Sequence, residues 1–221
     1  MNSHTPNNVD FTRSSDNFSE GLLRINTLNQ ALKKEFGEKV VKLSIDVGFT
    51  CPNRDGSKGF GGCTFCSASG SGDNASNIDE QIALLSEKWP NAKYIAYFQN
   101  YSGTYAPVSK LRELYYGALD DPRILGLAIA TRSDCIDDDC LALLDEINKK
   151  HFLWVELGLQ TIHEDSAKKL NLCHSLQDYD ETISKLNAHN IRAVTHLILG
   201  LPGESKQDMK MSVKHAVKSN T

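Results

Sequence analysis

The chain has 221 residues, of which 24 are Lys or Arg and 28 Asp or Glu, giving a formal net charge of −4; 40% are hydrophobic and 24% charged. That composition is ordinary for a globular domain and excludes collagen-like or wholly disordered classes. The acidic balance gives no global attraction for nucleic acid, so any RNA contact needs a local basic patch. With no run of about 18 apolar residues and a polar N-terminus, neither a membrane span nor a signal peptide is expected, and the protein is expected to be cytoplasmic.

Residues 1–20 are rich in Asn, Ser, Thr and Asp without periodicity. They are expected to form a mobile arm ahead of one core domain over 21–221. From Leu22 to Phe36 the apolar positions Leu22, Ile25, Leu28, Leu32 and Phe36 recur at helical spacing. Short apolar runs then alternate with helical stretches. Strands are predicted at 40–45, 94–98, 124–129, 152–157 and 193–199. Helices are predicted at 78–88, from Pro107 onward, at 137–149, at 178–190, and from the Pro202-Gly203-Glu204 turn to the end of the chain.

Five nearly continuous apolar strands, each followed by a helix, imply a parallel α/β sheet with helices packed outside it. An open doubly wound sheet and a partial or full (β/α) barrel both satisfy this pattern, and in both the functional loops gather at the C-terminal strand ends. The unusual segments all fall there: a cysteine loop, Gln99-Asn100-Tyr101, Thr131-Arg132, Gly158-Leu159-Gln160 and Gly200-Leu201-Pro202-Gly203.

Six cysteines in a reducing compartment are expected as thiols, ligands or core residues rather than disulfides. Cys51, Cys63 and Cys66 share the first strand-end loop with Gly56, Gly59, Gly61 and Gly62, which permit tight backbone turns. A structural zinc site closes its tetrahedron with four protein ligands, and no fourth Cys or His is close in sequence. For an iron–sulfur cluster, three ligands leave one iron open to a substrate or cofactor. Free thiols and a zinc site remain as alternatives to the cluster.

The segments VGFTCPNRDGSKGFGGCTFC, AYFQNYSGTYAP, ATRSDCI, WVELGLQTIH and THLILGLPGE, over about residues 40–205, carry a resemblance. They resemble the radical S-adenosylmethionine (SAM) superfamily, within it the Elongator-catalytic-subunit-like branch of YhcC/YtqA-type proteins. The usual three-residue gap between the first two cysteines is replaced by eleven, as in that branch. The resemblance implies a partial (β/α) TIM-like barrel, with five of about six βα units present. It also implies a 4Fe-4S cluster on Cys51, Cys63 and Cys66, whose open iron binds SAM. One-electron cleavage then yields methionine and a 5′-deoxyadenosyl radical. An electron donor such as flavodoxin or ferredoxin follows as partner, and tRNA, modified at the wobble uridine, as substrate.

Within that resemblance Phe65 matches the aromatic set against adenine, and Gln160 a glutamine near ribose and methionine. His196 matches a strand position facing the ribose, and Gly200 a turn whose backbone approaches the cofactor. Gln99, Thr131, Arg132 and Glu156 join them as polar groups in or at the ends of strands. Core roles compete for Phe65, Glu156 and His196. A charge inside a parallel strand is costly unless paired.

Two departures stand out. Leu172 occupies the place of a usual arginine, for which Arg132 is the candidate substitute. The chain also stops before the expected sixth strand and C-terminal segment, as in a truncated product. The expected consequence is marginal solubility or a substrate site completed elsewhere. Cys173 is expected to pack, and Arg54, Lys58, Lys33 and Lys34 are candidates for a small basic rim. A zinc-bearing binding module and an inactive cluster-binding scaffold remain as rival functions.

Overall fold

A computed structural model describes residues 25–70 and 72–221; the expected arm over 1–20 lies outside them. Strands β1 (Val40–Ile45), β2 (Lys93–Phe98), β3 (Ile124–Thr131), β4 (Phe152–Gln160) and β5 (Arg192–Leu197) form one parallel sheet in the order β1-β2-β3-β4-β5. The helices are α1 (Leu28–Phe36), α2 (Ile78–Ser86), α3 (Val108–Leu119), α4 (Asp138–Asn148), α5 (Glu164–Lys169), α6 (Leu176–Ala188) and α7 (Lys206–Lys218). A doubly wound sheet reverses its strand order at a switch point. This one does not reverse. Crossovers of one hand therefore put their helices on one face, and the fold is a partial barrel.

The two-residue side-chain period sorts each strand between two faces. Outward, Leu43, Phe98, Leu127, Ile129, Val155 and Leu157 pack with Leu111 and Tyr115 of α3, Leu144 and Ile147 of α4, and Tyr179 and Ile183 of α6. Inward, Val40, Ile95, Tyr97, Ala128 and Trp154 form a second cluster, covered at the strand starts by Leu32 and Phe36 of α1. One contact reports the curvature. Lys42 Nζ on β1 lies 2.9 Å from Glu156 Oε1 on β4, across β2 and β3. In a flat sheet those strands stand three spacings of about 4.8 Å apart, beyond the combined reach of the two side chains. The sheet is curled, and the small Ala128 and Ala130 of β3 leave the hollow free. Among the described residues β1 and β5 are open edges.

Several boundaries differ from expectation for local reasons. Helix α1 starts at Leu28, because Thr27 and Gln30 form a capping box, and ends at Gly37, which takes φ 74°. Ile25 is left 70% exposed; Leu22 lies outside the described residues. Asp137 and Pro107 sit at helix caps rather than inside helices. Strand β4 runs three residues past its apolar run, to Gln160. The stretch before 178 holds a helix the apolar pattern missed, α5, and α6 begins after a Ser175–Asp178 capping box. Among the described residues no helix is long and apolar enough to cross a membrane.

Candidate active site

The cysteine loop leaves β1 and closes on itself through backbone bonds. The Cys51 carbonyl accepts from Arg54 N–H at 2.8 Å, the Pro52 carbonyl from Lys58 N–H at 2.8 Å, and the Asn53 carbonyl from Gly62 N–H at 2.8 Å. Gly62 has φ 76°, and a Cβ there would stand 2.7 Å from the Arg54 guanidinium. Glycine lets Arg54 cross the loop and donate to the Ser67 carbonyl at 2.6 Å. The loop docks on residues 170–173: Thr64 N–H donates to the Leu170 carbonyl at 3.0 Å, and Asn171 Nδ2 to the Gly62 carbonyl at 2.8 Å.

This docking turns Cys51, Cys63 and Cys66 toward one cavity of about 350 Å³ at the C-terminal strand ends, within the range of small-molecule sites. Phe65, Gln99, Thr131, Arg132, Glu156, Gln160 and His196 line the same cavity. Gly200 is absent from its lining. It lies exposed beyond β5, with its N–H on the Met209 sulfur at 3.1 Å. Tyr97 and His174, which the sequence did not single out, also line the cavity, as do Arg54, expected only as part of a basic rim, and Tyr101 of the Gln99-Asn100-Tyr101 segment. Tyr97 had a usable signal, since it alternates inward along β2.

Phe65 is 44% exposed, so it is a rim residue and not a core aromatic. Thr131 is buried, its Oγ1 2.6 Å from Thr104 Oγ1. Ser44 Oγ donates to Gln99 Oε1 at 3.3 Å. Gln160 takes φ 65°, a left-handed conformation that costs a non-glycine residue on the order of 1 kcal/mol. A Cβ on Gly158 would lie 2.7 Å from Gln160 Nε2. The glycine therefore gives that amide its place.

Glu156 is 4% exposed and its carboxylate is saturated. Oε1 accepts from Lys42 Nζ at 2.9 Å and Trp154 Nε1 at 2.8 Å; Oε2 accepts from Tyr97 Oη and His196 Nε2, each at 2.8 Å. Burial acts to raise its pKa, but the His196 bond and the Lys42 charge outweigh it and hold the group at about 2. Burial, with the carboxylate beside it, drives the Tyr97 phenol upward.

Arg132 is equally committed. Its Nε and Nη2 grip Asp134 at 2.9 and 2.8 Å; Nη1 donates to the Leu172 carbonyl at 3.1 Å and Nη2 to the Cys173 carbonyl at 3.0 Å. The remaining Nη1 proton faces Cys51 Sγ at 4.0 Å. All five guanidinium donors are engaged. The position of Leu172 thus supplies a backbone acceptor to Arg132, and Arg132 does not replace the missing arginine as a free anion partner. Burial would raise Asp134, yet Arg132 and Lys58 bring it down to about 2.

Burial pushes the Cys63 thiol up, while a bond from Asn53 works against it. Cys135 and Cys140 lie off the cavity and are pushed by burial up to about 12. Cys173 is exposed, contrary to the packing role expected of it. The basic rim does not assemble. Lys33 and Lys34 sit in the last turn of α1, at the strand starts, and Lys58 is paired with Asp134 at 2.7 Å. Among the described residues no three His, Cys, Asp or Glu side chains converge as the ligand set of one ion. Three thiolates that each take a different iron need no such convergence, so the donor set fits a cluster better than a lone zinc ion.

The family model described as the Radical SAM superfamily matches residues 47–216. YtqA of Bacillus subtilis, an uncharacterized protein, is 47% identical over 202 residues, 88% of this chain and 62% of its own length. YhcC of Escherichia coli is 38% identical over 200 residues, 88% of this chain and 65% of its own. The chain spans less than two thirds of either relative. Among solved structures, coproporphyrinogen III oxidase (HemN) of Escherichia coli, described as a radical SAM enzyme, aligns with TM-score 0.52 and 13% identity over 82% of this chain and 41% of its own, a likeness of fold. The chain belongs to the radical SAM superfamily of enzymes, whose cofactors are a 4Fe-4S cluster and S-adenosylmethionine, and is a relative of YtqA and YhcC within it.

Proposed function

We propose that Cys51, Cys63 and Cys66 each bind one iron of the 4Fe-4S cluster, and that the cavity beside them holds SAM on the fourth iron. The observation that carries this is the gathering of all three cysteines with Phe65, Gln99, Thr131 and Gln160, from four separate strand ends or loops, around one cavity. When bound and reduced, the cluster supplies an electron that splits SAM into methionine and a 5′-deoxyadenosyl radical. The chain's own work is binding, orientation and exclusion of water. Phe65 offers an exposed ring to the adenine. The Gln160 and Gln99 amides and the Thr131 hydroxyl offer polar contacts, and His196 is presented to the cavity by Glu156. Glu156 and Arg132 act as positioning residues, because their charges are already satisfied by protein partners.

An electron carrier such as flavodoxin or ferredoxin, a cytoplasmic location and a tRNA wobble uridine as substrate complete the proposal. The substrate rests on the resemblance to the Elongator-catalytic-subunit-like branch alone. The net charge of −4 offers no global attraction for RNA, so any RNA contact has to come from local groups.

Anaerobic reconstitution with iron and sulfide, followed by reductant and SAM, tests the proposal. A brown protein that forms 5′-deoxyadenosine is expected. A colourless protein containing zinc would support a binding module instead. A brown protein giving no deoxyadenosine would mark a cluster-binding scaffold.

A further inference from the structure

We propose that Asn53 donates an N–H···S hydrogen bond to the Cys63 thiolate and so raises the reduction potential of the cluster. The inference rests on Cys63 being a cluster ligand. Asn53 is fully buried, an expensive place for an amide. Its Nδ2 lies 3.5 Å from Cys63 Sγ and 2.5 Å from the Asn171 carbonyl oxygen. An NH2 group has two protons, and these two acceptors take one each. Reversing the amide would set its oxygen against a carbonyl and a thiolate, so the neighbours fix which end faces Cys63.

The other end of the side chain sharpens the point. Asn53 Oδ1 is buried and has no hydrogen-bond partner among the described residues. It lies against Gly59, where an added Cβ would collide with it. The site gives up one acceptor and a Cβ to keep this donor beside the sulfur. Hydrogen bonds to cluster sulfurs set the potential, because they favour the more negative, reduced state. Asn53 would then ease entry of the electron that the cluster passes on. It is a positioning residue and touches no substrate.

The inference is tested by redox titration of the reconstituted protein without SAM, followed by electron paramagnetic resonance of the reduced cluster. Asn53→Ala is expected to lower the reduced-to-oxidised ratio at a fixed ambient potential about tenfold, or 59 mV for one electron. Ser57→Ala removes a hydrogen bond of the same loop, between Ser57 Oγ and Tyr105 Oη at 2.8 Å, without touching the sulfur contact or the carbonyl that orients Asn53, and is expected to leave the ratio within about threefold. Equal shifts in both variants, or none in Asn53→Ala, would overturn the inference and leave the ligand assignment standing. Should Asn53→Ala fail to hold a cluster, the wild-type protein decides. With nitrogen-15 in asparagine side-chain amides only, a hyperfine coupling to the reduced cluster is expected, and its absence overturns the inference. A wild-type protein that assembles no cluster overturns the ligand assignment as well.

Discussion

Replacing Cys51, Cys63 or Cys66 singly with alanine is expected to bring 5′-deoxyadenosine formation to background, a loss on the order of 10³-fold or more. Each thiolate is assigned its own iron, so no remaining cysteine covers for the one removed. Cys135 and Cys140 are held off the cavity with thiols that burial keeps protonated, and Cys173 faces solvent. Serine at any of these three is expected to leave the cluster in place. Iron and sulfide content, the visible spectrum and the deoxyadenosine assay read the result together. Retention of a full cluster in all three alanine variants would sink the ligand set.

Removing the Glu156 side chain is expected to destabilise the fold by about 3 kcal/mol, as when one partner of a buried ion pair is deleted. The Glu156→Ala variant strands Lys42, the Tyr97 hydroxyl and the Trp154 N–H at once, and His196 loses its anchor. Glutamine is a poor replacement. All four partners are donors, and an amide would turn its own NH2 toward two of them. The carboxyl sits at about 2 in the fold against its usual 4.5. Its contribution is therefore complete above about pH 4.5 and fades as pH falls toward 2. Urea unfolding of the cluster-free protein should show wild type and Glu156→Gln far apart at neutral pH, with the gap narrowing progressively as pH falls from about 4.5 toward 2. Equal midpoints at neutral pH would show that the hub stabilises nothing.

The sheet was legible because its strands are read by local pattern. Val40–Ile45 carries β-branched and apolar residues in a bounded run, and β1 occupies those residues. Helix α5 escaped because six residues, four of them charged, show no apolar repeat. The end of β4 escaped because Gly158 reads as punctuation, although it is the vacancy that admits Gln160. Of the site, the cysteines and strand-end polar groups were visible as residue types at particular places. What each one touches was not. Glu156 draws partners from 114, 59 and 40 residues away, and no local pattern encodes that. Nothing in the local sequence singles out Asn53 from the other polar residues of its loop, and Arg132 could be read as a substitute anion partner because its carbonyl acceptors belong to residues 172 and 173.

The Lys42–Glu156 pair joins segments 114 residues apart, across two intervening strands. Such a contact forms only after β1 through β4 have assembled and curled, late on the route to the native state. It then belongs to the interactions that resist opening rather than those that drive assembly. Loss of the pair should appear mainly as faster unfolding, with the refolding rate little changed. The curl of the sheet is thus also a kinetic latch on the hollow that holds the site.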